Sequence, residues 1–158
     1  SPLFYAVREK EFYNEKGWRR HIFNTWFVRL WGGYGAKVGL NDYEKSLERH
    51  IKILHEKGSF CVFPEGGITR DGAIQGGRGG ISYLAHSAPC TIIPVHIMGV
   101  YGMSPIDFFS FKRKIFVVFG QPIFPKDLFS NIEQPHEPGK SVWKVESDYI
   151  MKKIGELK

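Results

Sequence analysis

The residues best suited to chemistry in this chain lie between Phe60 and Gly80, in the run Phe-Cys-Val-Phe-Pro-Glu-Gly-Gly-Ile-Thr-Arg-Asp-Gly-Ala-Ile-Gln-Gly-Gly-Arg-Gly-Gly. A single carboxylate, Glu65, directly follows Phe63-Pro64. Two guanidinium groups, Arg70 and Arg78, follow within a glycine-rich stretch that opens at Gly66-Gly67. Glycine permits tight bends and close approach of the backbone to a ligand. Backbone N–H groups exposed in such bends attract phosphate, and arginine binds phosphate well. The chemistry written here is that of an anion site with one carboxylate beside it. The same composition also fits a plain surface loop, with a turn at Asp71-Gly72 and solvated charges.

The site needs a strand to carry it. Phe60 to Phe63 reads as a buried strand, and Pro64 stops its ladder because proline has no N–H to donate. That places Glu65 at the carboxyl end of a strand, where open α/β sheets bind ligands. Leu3 to Val7 reads as another buried strand, Glu9 to Tyr13 as the start of a short helix, and Ala36 to Leu40 as a short strand. His21 to Trp31, with Phe23, Trp26, Phe27 and Leu30, reads as a core helix or as one lying against lipid. Asn41 to Lys57 reads as a helix capped by Asn41, with Glu44 as capping-box partner. Its apolar face is Tyr43, Leu47, Ile51 and Leu54, and Gly58 stops it. His50 and His55 read as partly exposed. Ile81 to Ser87 makes a short helix ending before Pro89. Thr91 to Ile97 and Lys114 to Phe119 read as strands, and Gln134 to Lys140 as a loop. Ser141 to Leu157 is a final helix, with Trp143, Ile150, Ile154 and Leu157 on one side. Strands alternating with helices predict an α/β fold, a mixed and mostly parallel sheet flanked by helices.

The 158 residues suit one domain spanning 1–158. The 22 Lys+Arg against 16 Asp+Glu give +6, a charge that suits an anionic partner such as a membrane surface or a phosphorylated substrate. Nucleic acid would suit the charge too, but no helix-turn-helix, zinc spacing or RNA-binding signature accompanies it. Aromatics stand beside cations in Trp18-Arg19-Arg20 and in Phe109-Ser110-Phe111-Lys112-Arg113-Lys114, a mixture that suits a lipid headgroup interface. The two cysteines, Cys61 and Cys90, read as small core residues with no disulfide or metal framework. No apolar run reaches the length of about 18 residues that spans a bilayer. The opening at Ser1-Pro2, which enters a strand at once, reads as the start of an excerpt from a longer protein.

Phe63-Pro64-Glu65-Gly66 with Thr69-Arg70-Asp71-Gly72 resembles the Phe-Pro-Glu-Gly-Thr-Arg block of the glycerolipid acyltransferases, the lysophosphatidic acid acyltransferase-like family. Ile93-Pro94-Val95-His96-Ile97 is similar to the family's Val-Pro-Val block, and Val117-Val118-Phe119-Gly120-Gln121-Pro122-Ile123 to its Gly-Glu-Pro-Ile strand end. Arg78 matches a basic position that follows the glutamate loop. The resemblance implies transfer of an acyl group from an acyl-CoA or acyl-carrier-protein thioester to a lyso-glycerolipid hydroxyl. No bound cofactor or metal is implied. It implies that Glu65 holds the acceptor's glycerol or phosphate end, that Gly66 and Gly67 let the loop wrap it, and that Arg70 and Arg78 face phosphate. Lys37 is a loose match to an arginine in the family's second block, and Gly67-Ile68 replaces the usual Thr-Arg. The expected place of work is the cytoplasmic face of a membrane.

In that family a histidine with an aspartate five residues later activates the hydroxyl, which is general-base catalysis. Five residues after His21, His50, His55, His86, His96 and His136 stand Trp26, His55, Phe60, Thr91, Tyr101 and Ser141. The pair is absent from this chain, so no catalytic residue is assigned, and an N-terminally incomplete domain carrying the acceptor-binding half is expected. The competing expectation is an inactive lipid- or membrane-binding module of the same fold.

Overall fold

The structure, a computed structural model, describes residues 3–8, 32–36, 42–130 and 141–157. Lys37, Asn41, the segments Glu9 to Tyr13 and His21 to Trp31, and the loop Gln134 to Lys140 lie outside the described residues. The chain divides into two compact units, Ser1–Phe63 and Pro64–Lys158.

The first unit is built on three strands, β1 (Leu3–Arg8), β2 (Gly33–Ala36) and β3 (Ser59–Cys61), with a helix α1 (Tyr43–His55) between the last two. The order is β2-β1-β3 and both pairings are parallel. Tyr5 stands opposite Gly33 on one side and Cys61 on the other. Parallel strands need a long crossover, and α1 lies in the one that runs from β2 past β1 to β3. The cap of α1 is Asp42, whose carboxylate accepts from the Lys45 N–H at 3.2 Å. With Asp42 as cap the capping-box position falls on Lys45, so Glu44 has no such role. At the other end Gly58 N–H reaches the Ile53 carbonyl at 2.9 Å and Lys57 N–H the Leu54 carbonyl at 3.0 Å, a Schellman closure. The left-handed residue is Lys57 (φ 59), not Gly58. Gly58 is required for another reason: a Cβ there would stand 2.7 Å from Ile53 Cγ2.

β1 covers its expected run and one residue more, but β3 is shorter and wetter than expected. β3 ends at Cys61, before Phe63, and Phe63 is 62% exposed. Leu3 and Cys61 are also exposed, so neither belongs to a core. The buried face of α1 is Leu47, His50 and Ile53, and Tyr43 is exposed. His50, expected partly exposed, is fully buried. It lies three residues after Leu47 and four before Leu54, on the inner stripe. Its ring meets Phe60 edge-on at 4.8 Å. Its Nε2 lies 3.4 Å from the Tyr34 carbonyl, and its Nδ1 has no hydrogen bond of good geometry. Burial pushes the His50 pKa down, against the weaker opposing pull of the Tyr34 and Leu47 carbonyls. The unfolded chain therefore takes up the proton first. Stability should be full above about pH 6.5 and decline as pH falls through the depressed native value. His50→Phe keeps the ring and removes the titration. Urea unfolding on either side of that pH should show a shallower pH slope in the variant. An unchanged slope would assign the acid sensitivity elsewhere.

The second unit holds α2 (Gly80–Ser87), β4 (Val95–Met98), α3 (Pro105–Phe109), β5 (Phe116–Phe119), α4 (Pro125–Phe129) and α5 (Val142–Gly155). β4 and β5 pair antiparallel, Val95 opposite Phe119 and Met98 opposite Phe116, and Ile92 and Ile123 form a further bridge. The mixture of strand senses thus comes as a parallel sheet in one unit and an antiparallel pair in the other. The core is Ala85, Ile123, Leu128 and Ile150, with Ile81, Ile92, Tyr149 and Ile154 packed against it. The buried face of α5 is Glu146, Ser147, Ile150 and Met151 rather than a stripe through Trp143 and Leu157. Two polar residues lie inside because α2 answers them. His86 Nε2 stands 2.9 and 3.0 Å from the two Glu146 oxygens, and the rings of Tyr83 and His86 meet Trp143 edge-on. His96 is half-buried, and its Nδ1–H donates to the Leu157 carbonyl at 2.7 Å.

Candidate functional site

Glu65, Gly66, Gly67, Arg70 and Arg78 all lie in the second unit, on the segment between its first residue and α2. Its two ends are drawn together. The Arg78 N–H donates to the Pro64 carbonyl at 2.8 Å, and the Arg78 Nε–H to the Glu65 carbonyl at 3.2 Å. Gly66 sits between them at φ +62, and a Cβ there would be 2.6 Å from Arg78 Cδ. Only glycine meets both the positive φ and the contact. Arg78 therefore does more than present charge: it fixes the backbone that carries the Glu65 carboxyl.

The far side of the turn is knitted to itself. The Asp71 carboxylate accepts from the Ala73 N–H and lies within hydrogen-bond reach of Thr69 and Gln75. The Ala73 N–H, followed by the Thr69 hydroxyl, holds the Asp71 carboxyl below the usual carboxylate range. Thr69 Oγ accepts from the Gly72 N–H at 3.0 Å. Tyr101 donates its hydroxyl to the Arg70 carbonyl at 2.7 Å and lies under Gly72, where a Cβ would meet the ring at 2.9 Å. The Arg70 side chain is left exposed. Gly67 has open space around it and Ile68 is 96% exposed. The structure brings together Glu65, Gly66 and Arg78. Gly67 stands open between them and Arg70, and Lys37 lies outside the described residues.

A third support comes from α5. Lys144 Nζ bonds the Gly77 carbonyl at 2.7 Å and the Asp148 carboxylate at 2.6 Å, and Asp148 accepts from the Gly77 N–H at 3.1 Å. Ser147 donates to the Arg78 carbonyl at 2.8 Å. With its proton spent there, its hydroxyl accepts from Ser82 at 2.8 Å. The sequence reading missed these positioning residues. The i, i+4 pair of Lys144 and Asp148 was visible, but such pairs normally lie on a solvated face. Beside the loop, Ile68, Gly72, Ile97, Met98, Val100 and Tyr101 line a mainly apolar groove of about 430 Å³. Among the described residues no group of three His, Cys, Asp or Glu could hold a metal, and no helix is long and apolar enough to cross a membrane.

Glu65 and Arg78 thus share the closed end of one loop, with the exposed Arg70 and the apolar groove toward its far side. Residues 13–98 match the model of the family described as Acyltransferase, more than half of the chain. The protein belongs to that acyltransferase family. The match takes in the glutamate loop and Ile93-Pro94-Val95-His96-Ile97, and it stops short of the Val117 to Ile123 block. The expected family and its α/β fold with a parallel sheet are borne out. Membership carries acyl transfer in general, between an acyl donor such as acyl-CoA or acyl-carrier protein and a lipid acceptor. No solved structure matches the chain.

Proposed function

We propose that this chain is the acceptor-binding half of a phospholipid-biosynthesis acyltransferase, which moves a fatty acyl group from a thioester to the hydroxyl of a lysophosphatidic acid-like acceptor. The observation that carries this reading is the Arg78 clamp on the Pro64 and Glu65 carbonyls. It holds one carboxylate and one guanidinium on the same short turn. Glu65 accepts a hydrogen bond from the acceptor's glycerol, Gly66 and Gly67 let the backbone approach it, and Arg70 and Arg78 face its phosphate. α2 starts without a side-chain cap, so its first N–H groups add to the field felt by an anion. The acceptor's chain lies in the groove beside Ile68 and Tyr101. In the reaction the acceptor oxygen bonds to the thioester carbonyl carbon and the carbon–sulfur bond breaks. The acceptor's proton passes to a base, and the thiolate leaves to become a thiol. The base comes from outside these residues, since no histidine here has an aspartate five positions on. The same reading puts the work at the cytoplasmic face of a membrane, where a soluble thioester donor would meet a lipid acceptor.

Arg70→Gln tests the phosphate contact, because the Tyr101 bond is to the Arg70 backbone and survives the change. Calorimetric titration with a short-chain lysophosphatidic acid should show about tenfold weaker binding by the variant, with binding of the neutral monoacylglycerol unchanged. Equal losses for both ligands would contradict a phosphate role. The missing histidine–aspartate pair favours a second reading, an inert lipid-binding module, which binds the same acceptors and turns none over.

A further inference from the structure

The β4–β5 connection carries a surface that the acceptor site does not use. Ile106 and Phe109, three residues apart on α3, are 73% and 75% exposed, and Phe111 beyond them is 90% exposed. The next three residues, Lys112, Arg113 and Lys114, are all exposed cations. The one carboxylate of this segment, Asp107, is engaged by Ser104. It accepts from the Ser104 N–H and hydroxyl, which with Arg113 nearby hold it ionised. Phe111 stands at φ 53. Its N–H reaches the Phe108 carbonyl and the Lys112 N–H the Asp107 carbonyl, both at 3.3 Å. This is the closure seen at the end of α1, with an aromatic residue in the position where glycine fits best. A bulky side chain in left-handed backbone is strained, and packing does not repay Phe111, since almost all of it faces solvent. Strain kept for an exposed aromatic points to a binding role. Gly99, at the base of the connection, packs directly on the Lys114 carbonyl and has no room for a side chain.

We infer that Ile106, Phe109 and Phe111, with Lys112, Arg113 and Lys114, form a docking surface for an anionic phospholipid bilayer, the aromatics entering the interface and the cations resting on its headgroups. Apolar rings beside exposed cations complement a surface that is apolar within and negative at its face. A protein partner would complement the rings without needing three cations in a row. The inference deepens the proposed function, on which it rests for its purpose, but vesicle binding is read without turnover, so the two fail separately. The intact chain is mixed with vesicles of phosphatidylcholine alone or with an equal part of phosphatidylserine, and bound protein is measured by flotation. The wild type should prefer the anionic vesicles and lose them in high salt. The triple variant Lys112→Gln, Arg113→Gln, Lys114→Gln should bind them about a hundredfold more weakly. Phe111→Gly should bind about tenfold more weakly while its thermal midpoint holds or rises, so loss of fold cannot explain the result. Wild-type binding indifferent to vesicle charge would overturn the inference, as would either variant binding like the wild type. Self-association in sedimentation without vesicle binding would give the surface to a second copy of the chain.

Discussion

Glu65→Ala, in the protein at its native length, is expected to lower acyl transfer by at least about a hundredfold while leaving the fold intact. The carboxyl stands at the clamped end of the turn, while the Asp71 carboxylate is bound up within its far side. The Arg78 bonds that set the turn go to the Pro64 and Glu65 carbonyls rather than to the carboxyl. Removing the side chain leaves those bonds in place, so the thermal midpoint should hold. What is lost is the group that orients the acceptor, and a small misplacement of reacting groups is enough for a loss of this order. The loss should appear as a fall in kcat/KM. Glu65→Gln can still accept a hydrogen bond from the glycerol and should retain more activity than alanine. Wild-type turnover by Glu65→Ala would remove the role given to this residue.

The second large effect is on stability. His86→Ala should cost about 3 kcal/mol, because Glu146 is left buried with no donor for its carboxylate. Glu146 has 1% of its side chain exposed, and His86 Nε2 meets both of its oxygens. The double variant His86→Ala, Glu146→Leu removes the stranded charge and should regain most of the loss. Urea unfolding of the single and double variants measures both. A single variant within about 1 kcal/mol of wild type, or a double variant no better than the single, would show that the pair does not hold α2 to α5. The pair is a histidine–carboxylate couple, but it sits at the far end of α2 from Arg78 and its carboxylate is closed to solvent. The geometry makes it a staple between helices.

That pair shows where the sequence stops being readable. A glutamate and a serine in the middle of a helix are read as solvated. Glu146 and Ser147 are buried only because His86, Ser82 and the Arg78 carbonyl reach them from sixty or more residues away. His50 is a nearer miss: its 3-4 spacing between Leu47 and Leu54 was in plain sight, but its polarity argued against burial. What depends on local spacing was legible. The helices at Tyr43–His55, Gly80–Ser87 and Val142–Gly155 follow from periodicity and from their flanking stop residues. The strand Phe116–Phe119 falls inside its expected run and Ser59–Cys61 overlaps its run from one residue earlier, and both are shorter than expected, because ladder length is set by the partner strand. For the candidate site, the residue types and the family they resemble were legible. The pair of hydrogen bonds from Arg78 to the turn was not, because nothing local links position 78 to positions 64 and 65.

The proposed role of the clamped glutamate loop is to receive a phosphate-bearing lyso-glycerolipid for acylation. The most direct measurement is acyl transfer from radiolabelled acyl-CoA or acyl-carrier protein by the native-length protein, with lysophosphatidic acid and neutral monoacylglycerol as rival acceptors. The expected result is labelled phosphatidic acid, little product from the neutral acceptor, and a loss of this preference in Arg70→Gln. Intact binding of lysophosphatidic acid with no transfer to any acceptor from either donor would contradict it, and would make the chain a lipid-binding module built on an acyltransferase fold.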